Sequence, residues 1–252
     1  AEKAGIIKHG TALVLESQEK EAMDVLNKAA ERADIKTTKV VNLNEIRILP
    51  QKDGKQCFSY AGHDAVTMKM LGVHQYENAV AAMLAAELFF EKYFAGKKNV
   101  PERKALQHAI REGIDRTQWM GRMELVSNDP FFLMDGAHNS NGVEALKKSL
   151  ETMYPDEKFH FIMGVMADKD YGEMIRELLP LALDFKTVTV ESERALQGEA
   201  LADCIREKGI PAEAYQNLAD VLPDFSKSSA EKTVAFGSLY FIGELSLIHI
   251  SE

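Results

Sequence analysis

Phe131-Phe132-Leu133-Met134-Asp135-Gly136-Ala137-His138-Asn139-Ser140-Asn141-Gly142 is the stretch that decides the fold of this chain. Its first four residues are an unbroken apolar run, the pattern of a buried strand. Beyond Gly142, Val143, Leu146, Leu150 and Met153 are spaced as the apolar stripe of a helix. The polar octapeptide Asp135–Gly142 therefore lies at the carboxyl end of a strand, on the turn that opens a helix. Open α/β sheets bind ligands there, and helix N-termini favour anions. By position alone Asp135 can orient a ribose hydroxyl, hold a metal or cap the helix, and Asn139 can cap it too. Asp-Gly and Asn-Gly are also ordinary turn dipeptides.

Outward from this stretch the rhythm is strand, helix, strand, helix. Strands are predicted at 123–127, 130–135, 158–163, 186–191, 212–215 and 232–237, and helices at 142–153, 170–182, 197–208 and 217–226. Such alternation argues a mostly parallel sheet with helices on both faces. Upstream, residues 11–16 read as a short buried strand. Ser17 is placed to cap a helix whose apolar face is Ala22, Val25, Leu26, Ala29 and Ala33. Extended runs at 37–42, 45–49, 56–60 and 64–71, with Gly54 and Gly62 in turns, predict a meander. A long apolar helix follows at about 76–93, then another with Pro101 at its first position. Residues Gly113–Gly121 read as irregular, with a domain boundary near Thr117.

The 252 residues suffice for one large domain or two small ones. With 46% hydrophobic and 27% charged residues the chain has the composition of a soluble globular protein. The net charge of −9 and the lack of a basic block speak against nucleic-acid binding. No run approaches the ~18 apolar residues of a membrane span. Cys57 and Cys204 resemble no metal-ligand pair and fit a reducing, cytoplasmic setting. The chain opens abruptly on Ala1-Glu2-Lys3-Ala4-Gly5-Ile6-Ile7-Lys8, which reads as a helix end. It stops on the apolar tail 245–252, and truncation at one or both ends is expected.

Five further groups can carry chemistry. Arg122, beside Gly121 and ahead of a strand, can reach a phosphate with its planar fork or pair with Glu124. Asn78, in the first turn of an apolar helix, is read as a buried carboxamide that satisfies backbone locally or reads an adenine edge. The Gly164–Asp170 and Phe236–Tyr240 segments each follow a strand, and both are also simple loop or turn sequences. Lys3 is a snorkelling side chain, or a metal ligand once CO₂ converts its amine to a carbamate.

Together and in order, these segments resemble folylpolyglutamate synthase, including its bifunctional dihydrofolate synthase form, among the wider Mur ligases. The matching pieces are Glu2-Lys3-Ala4-Gly5-Ile6-Ile7-Lys8, Gly72-x-His74-Gln75-x-x-Asn78-Ala79 and Gly121-Arg122-Met123-Glu124. Asp135-Gly136-Ala137-His138-Asn139, Asp168-Lys169-Asp170, Arg194-Ala195-Leu196 and Gly237-Ser238-Leu239-Tyr240 follow. The resemblance implies an incomplete central ATPase domain over 1–116. A Rossmann-like, mostly parallel α/β ligase domain would follow over 117–252. It implies ATP-driven formation of an acyl phosphate on a folate or dihydropteroate carboxylate, then attack by the amine of L-glutamate. By resemblance Asn78, Arg122, Asp135 and His138 contact the nucleotide, Arg122 at the phosphates and Asp135 at the ribose. His138 is also catalytic, and Lys3 is the carbamylated lysine that helps hold magnesium. Asp168, Ser238 and Tyr240 line the glutamate side, and the full-length enzyme is a monomer.

The departures are Met120 and Ser140, where the family often has Pro, and a missing phosphate loop. Gly-x-x-x-x-Gly-Lys-Ser/Thr occurs nowhere in the 252 residues. This chain by itself is therefore expected to be inactive. A Mur-type peptide ligase of cell-wall synthesis and a non-catalytic nucleotide-binding module are the alternative readings.

Overall fold

The computed structural model describes residues 3–250, so Ala1, Glu2 and the last two residues of the tail lie outside the described residues. The chain divides into two compact units. One comprises the residues up to Lys69 with His74–Gln118, the other Met70–Val73 with the residues from Trp119 onward. Among the described residues no helix is long and apolar enough to cross a membrane.

In the first unit, β1 (Leu13–Leu15) pairs in parallel with β2 (Thr38–Val40) across the helix α1 (Lys20–Arg32). A parallel pair needs such a crossover, so 38–40 leave the predicted meander. The meander is β3 (Arg47–Lys52), β4 (Lys55–Tyr60) and β5 (His63–Met68), antiparallel in that order. Gly54 and Gly62 turn it at φ +73° and +84°, where a Cβ would be strained. The helices α2 (Gln75–Phe94) and α3 (Arg103–Arg116) complete the unit. Phe58, Val66, Val80 and Met83 form its buried centre, with the Tyr76 ring edge-on to Phe58.

Four local expectations fail here. The N-cap of α1 is Glu19, without a side-chain cap bond, so Ser17 lies outside the helix. Pro101 precedes the N-cap Glu102, which stays extended. Gly113 lies inside α3, because Leu106, Ile110 and Ile114 pack on the core and carry the helix past it. At the chain start, Lys3–Ile6 form a 3₁₀ turn rather than the end of an α-helix.

Asp115 staples α3 to the meander. Its carboxylate accepts both 2.8 Å bonds from the Lys55 ammonium and a 2.5 Å bond from the Thr67 hydroxyl. The Lys55 and Thr67 hydrogen bonds hold its carboxyl below the usual aspartate range. A depressed carboxyl stabilises the fold above its unfolded pKa and loses that contribution as pH falls through the folded value. Thermal unfolding of the first unit should therefore become easier below about pH 4. Asp115→Asn should remove part of that acid sensitivity and lower stability at neutral pH by about 1 kcal/mol, the staple being partly solvated. Melting curves followed by circular dichroism across pH test this; identical profiles for the two proteins would refute it.

The second unit is a six-stranded sheet. Its strands are β6 (Glu124–Asn128), β7 (Phe131–Met134), β8 (Phe159–Met163), β9 (Ala182–Val188), β10 (Ala212–Tyr215) and β11 (Lys232–Phe236). Their order is β10-β9-β8-β11-β7-β6, all parallel except β6, which runs antiparallel to β7. The helices α4 (Ser140–Met153), α5 (Tyr171–Leu178) and α6 (Gly198–Arg206) cover one face, where Phe131, Leu133, Phe161, Phe185 and Phe236 meet Leu146, Ile175 and Leu201. The other face presents Phe132, Met134, Ile162 and Ala235 to Phe241, Ile242 and Leu245 of α7 (Leu239–Ile250). Alternating residues of one strand thus serve two cores.

This unit corrects the sequence reading at its second half. The predicted helix at 217–226 is only a 3₁₀ turn, Leu218–Asp220. Pro223 cannot continue a helix, and the Asp224 carboxylate takes the Ser226 N–H in a turn of its own. Pro180 likewise ends α5 early, so β9 starts at Ala182 rather than 186. The strand stops at Val188, because the next hydroxyl, Thr189 Oγ1, accepts the Gly198 N–H. The helix α7 was not predicted at all. Its sequence is apolar nearly all round, so no 3.6-residue stripe marks it.

Candidate functional site

The carboxyl ends of the parallel strands form one continuous rim in the second unit. Gly136 N–H donates to Gly121 O at 2.7 Å, and Gly237 N–H to Ala137 O at 2.9 Å. Gly164 N–H reaches Phe236 O, Leu196 N–H reaches Val165 O, and Ala167 N–H reaches Arg194 O. Segments after β7, β8, β9 and β11 are thereby laced together with the turn before β6. Where they touch, glycine leaves room that a side chain would fill. A Cβ on Gly237, at φ +124°, would lie 2.6 Å from Gly164 O, and one on Gly136 would lie 2.4 Å from Leu239 Cδ2.

Asp135 sits inside this rim, 5% exposed. One carboxylate oxygen accepts the Met123 N–H and the other the Ala137 N–H, each at 2.8 Å. Burial pushes its carboxyl above the usual aspartate range, opposed by those two N–H groups and by the nearby Arg122 and His138. The residue expected at a ribose thus already engages the protein's own backbone. Asn139 does cap α4: its Oδ1 accepts the Gly142 N–H at 2.8 Å.

The turn Gly121-Arg122-Met123 has left-handed backbone on both sides of the arginine, φ +68° at Gly121 and +47° at Met123. The methionine conformation costs on the order of 1 kcal/mol, offset by its N–H bond to Asp135 and by full burial of its side chain. The pairing of Arg122 with Glu124 does not occur, since Glu124 Oε2 instead accepts the Gly121 N–H at 2.7 Å. Among the described residues the half-buried Arg122 guanidinium makes no hydrogen bond or ion pair. It faces the negative charge of Asp135.

His138 Nδ1 lies 2.8 Å from Gly136 O. A carbonyl only accepts, so Nδ1 carries the proton and Nε2 presents a lone pair in the neutral ring. Ser238 is buried and its hydroxyl accepts the Tyr240 N–H, starting α7. Tyr240 itself is 66% exposed. Asp168 is exposed and accepts a 2.6 Å bond from Arg194. A sequence model described as "Mur ligase, glutamate ligase domain" matches residues 121–236, from the Arg122 turn to the end of β11.

Residues 121–236 form a Mur ligase glutamate ligase domain. The likeness extends beyond this ligase domain to nearly the whole chain. The chain is 29% identical to the dihydrofolate synthase/folylpolyglutamate synthase of Bacillus subtilis, over 97% of this chain and 56% of that protein. It is 30% identical to the Mycobacterium tuberculosis enzyme of the same description, over 88% of this chain and 46% of that one. The structure of Mycobacterium tuberculosis folylpolyglutamate synthase complexed with ADP and AMPPCP superposes with a TM-score of 0.78 at 25% identity. That superposition covers 98% of this chain and 58% of the other. The chain spans about half the length of the curated relatives it matches.

The ligase domain therefore brings together Arg122, Asp135, His138 and Ser238 through direct backbone links, and Asp168 joins them through the Arg194 loop. Lys3 and Asn78 belong to the other unit. Asn78 is exposed rather than buried, and its Nδ2 donates to Gln75 Oε1 at 3.0 Å; Gln75 is the buried carboxamide of that turn. Lys3 lines an open groove of ≈ 520 Å³ with Leu15, Glu16, Leu26 and Ala82. Burial and then the neighbouring Glu77 raise the Glu16 carboxyl, while Lys3 lowers it. Among the described residues no three His, Cys, Asp or Glu side chains are grouped to hold a metal. Lys3 shares that groove with Glu16, and a carbamate on it would add an oxygen group of the kind magnesium prefers. Glu124 and Arg194 are the functional candidates that sequence reading did not single out by themselves. The Gly-x-x-Glu spacing at 121–124 was the signal available for the first.

Proposed function

We propose that the full-length protein joins L-glutamate to a folate or dihydropteroate carboxylate at the expense of ATP, through an acyl phosphate. The observation that carries this reading is the similarity of nearly the whole chain, and not the ligase domain alone, to dihydrofolate and folylpolyglutamate synthases. The rim geometry supports it. Phosphoryl transfer needs positioned positive charge more than covalent help from the protein, and Arg122 is an uncommitted guanidinium on a rigid turn. With Nδ1 turned to the Gly136 carbonyl, the neutral His138 ring would offer its Nε2 lone pair to a proton of the glutamate ammonium, freeing the amine to attack. Asp168, Ser238 and Tyr240 lie on the same rim and are assigned to the glutamate side, and Asn78 of the other unit to the nucleotide. Magnesium, held in part by a carbamylated Lys3, would neutralise phosphate charge.

ADP release by the full-length protein, with ATP, glutamate and either a reduced folate or dihydropteroate, tests the reading. Turnover with one or both is expected, and no turnover with any folate or pteroate would sink it. The 252-residue chain alone should show none, having no phosphate loop. In the same assay bicarbonate depletion should slow the full-length protein, and Lys3→Ala should be slow at any bicarbonate level. Full activity under both conditions would remove the carbamate from the proposal.

A further inference from the structure

Two carboxylates hold the backbone on either side of Arg122 while its guanidinium is left without a partner among the described residues. Glu124 Oε2 takes the Gly121 N–H at 2.7 Å, and the buried Asp135 takes the Met123 N–H at 2.8 Å. Both flanking residues have left-handed φ; Gly121 adopts it without strain, whereas Met123 is held there at a cost that its surroundings must offset. Gly121 is further pinned by its carbonyl, which accepts the Gly136 N–H at 2.7 Å. Its Cα is pressed against α7, since a Cβ there would come within 2.5 Å of Ile242 Cγ2. A side chain that must meet developing phosphate charge gains from being preorganised, and displacement of about 1 Å can cost orders of magnitude in rate.

We propose that Glu124 and Asp135 are positioning residues that act through the Gly121–Met123 backbone to aim Arg122 at phosphate charge. This rests on the reading that Arg122 meets that charge. Asp135 then serves the nucleotide by shaping the turn, and Glu124 contributes as a hydrogen-bond acceptor rather than as a base or metal ligand. Because both act through one side chain, their loss matters only while Arg122 is present.

The test uses the full-length protein with Glu124→Ala, Glu124→Gln, Asp135→Asn and Arg122→Ala, and the Glu124→Ala/Arg122→Ala double variant. Melting temperature, kcat and the KM for folate are measured for each. Glu124→Ala should lower kcat about tenfold with folate KM unchanged. Glu124→Gln, whose amide oxygen can still accept the Gly121 N–H, should regain most of that loss. Asp135→Asn keeps one acceptor oxygen for two N–H groups and should fall further than Glu124→Ala. The double variant should be no slower than Arg122→Ala. A double variant slowed by the product of the two single effects would overturn the proposal, as would wild-type kcat in Glu124→Ala beside a crippled Arg122→Ala. Equal losses in Glu124→Gln and Glu124→Ala would overturn the acceptor role. Wild-type turnover in Arg122→Ala would instead overturn the phosphate assignment beneath it. Should Asp135→Asn fail to fold, the half-exposed Glu124 variants still decide the matter.

Discussion

Arg122→Ala in the full-length protein should lower kcat by about 10²–10³, while folate binding stays near its wild-type value. The asymmetry follows from where the guanidinium is free to act. Among the described residues it makes no hydrogen bond or ion pair, so its removal takes from Asp135 only a longer-range attraction: Asp135 keeps its two backbone N–H donors and Glu124 keeps the Gly121 N–H. The fold should therefore survive, and the loss should fall on the charge that builds during phosphoryl transfer. Arg122→Lys should recover only part of the rate, because a point charge replaces a planar fork. Steady-state kinetics with saturating folate, together with a folate-binding isotherm, measure the two quantities separately. An unchanged kcat would take Arg122 out of the site.

Gly237→Ala should destabilise the second unit by about 3 kcal/mol, a fall of roughly 10 °C in melting temperature. Two terms add. The residue has φ +124°, which side chains rarely adopt, and the new methyl would sit 2.6 Å from Gly164 O and 2.9 Å from Val165 Cγ1. The closer obstacle is backbone at the end of a central strand, so it cannot rotate away. Relief requires β11 and the start of α7 to shift, and with them the Gly237–Ala137 bond that ties α7 to the Asp135 loop. Gly172→Ala is the control. In the first turn of α5 an added Cβ would meet only Asp170 Oδ1 at 3.8 Å, so alanine should be accepted there with little change in melting temperature. Thermal unfolding of the 252-residue chain suffices for both. A Gly237→Ala melting point within about 2 °C of wild type would show that the rim is not close-packed.

The order of strands and helices was legible because its signals are local. The Phe131–Met134 run, the stripe through Val143, Leu146 and Leu150, and the turn glycines Gly54 and Gly62 each announce themselves within a few residues. Reading failed where a local signal was contradicted nearby or was absent. Pro223 cancelled the stripe at 217–226, and α7 had no polar face to set its period. Among site residues, Asn139 as a cap and Asp135 at the strand-to-helix turn were readable from their place in the sequence. The exposure of Asn78 was not, since the same turn carries a second carboxamide, Gln75, that takes the buried place.

By itself the sequence determined that the second half is an α/β sheet, that Asp135–Asn139 lie at its carboxyl edge, and which enzymes the chain resembles. Only the tertiary structure decided that β11 inserts between β7 and β8, and that this brings Gly237 against Ala137 and Gly164. It alone decided that Glu124 and Asp135 grip the turn of Arg122 rather than the arginine itself. The reason is physical. Secondary structure follows side-chain spacing along the chain, whereas a carboxylate buried in the rim takes whichever N–H groups the packing of distant segments leaves without acceptors.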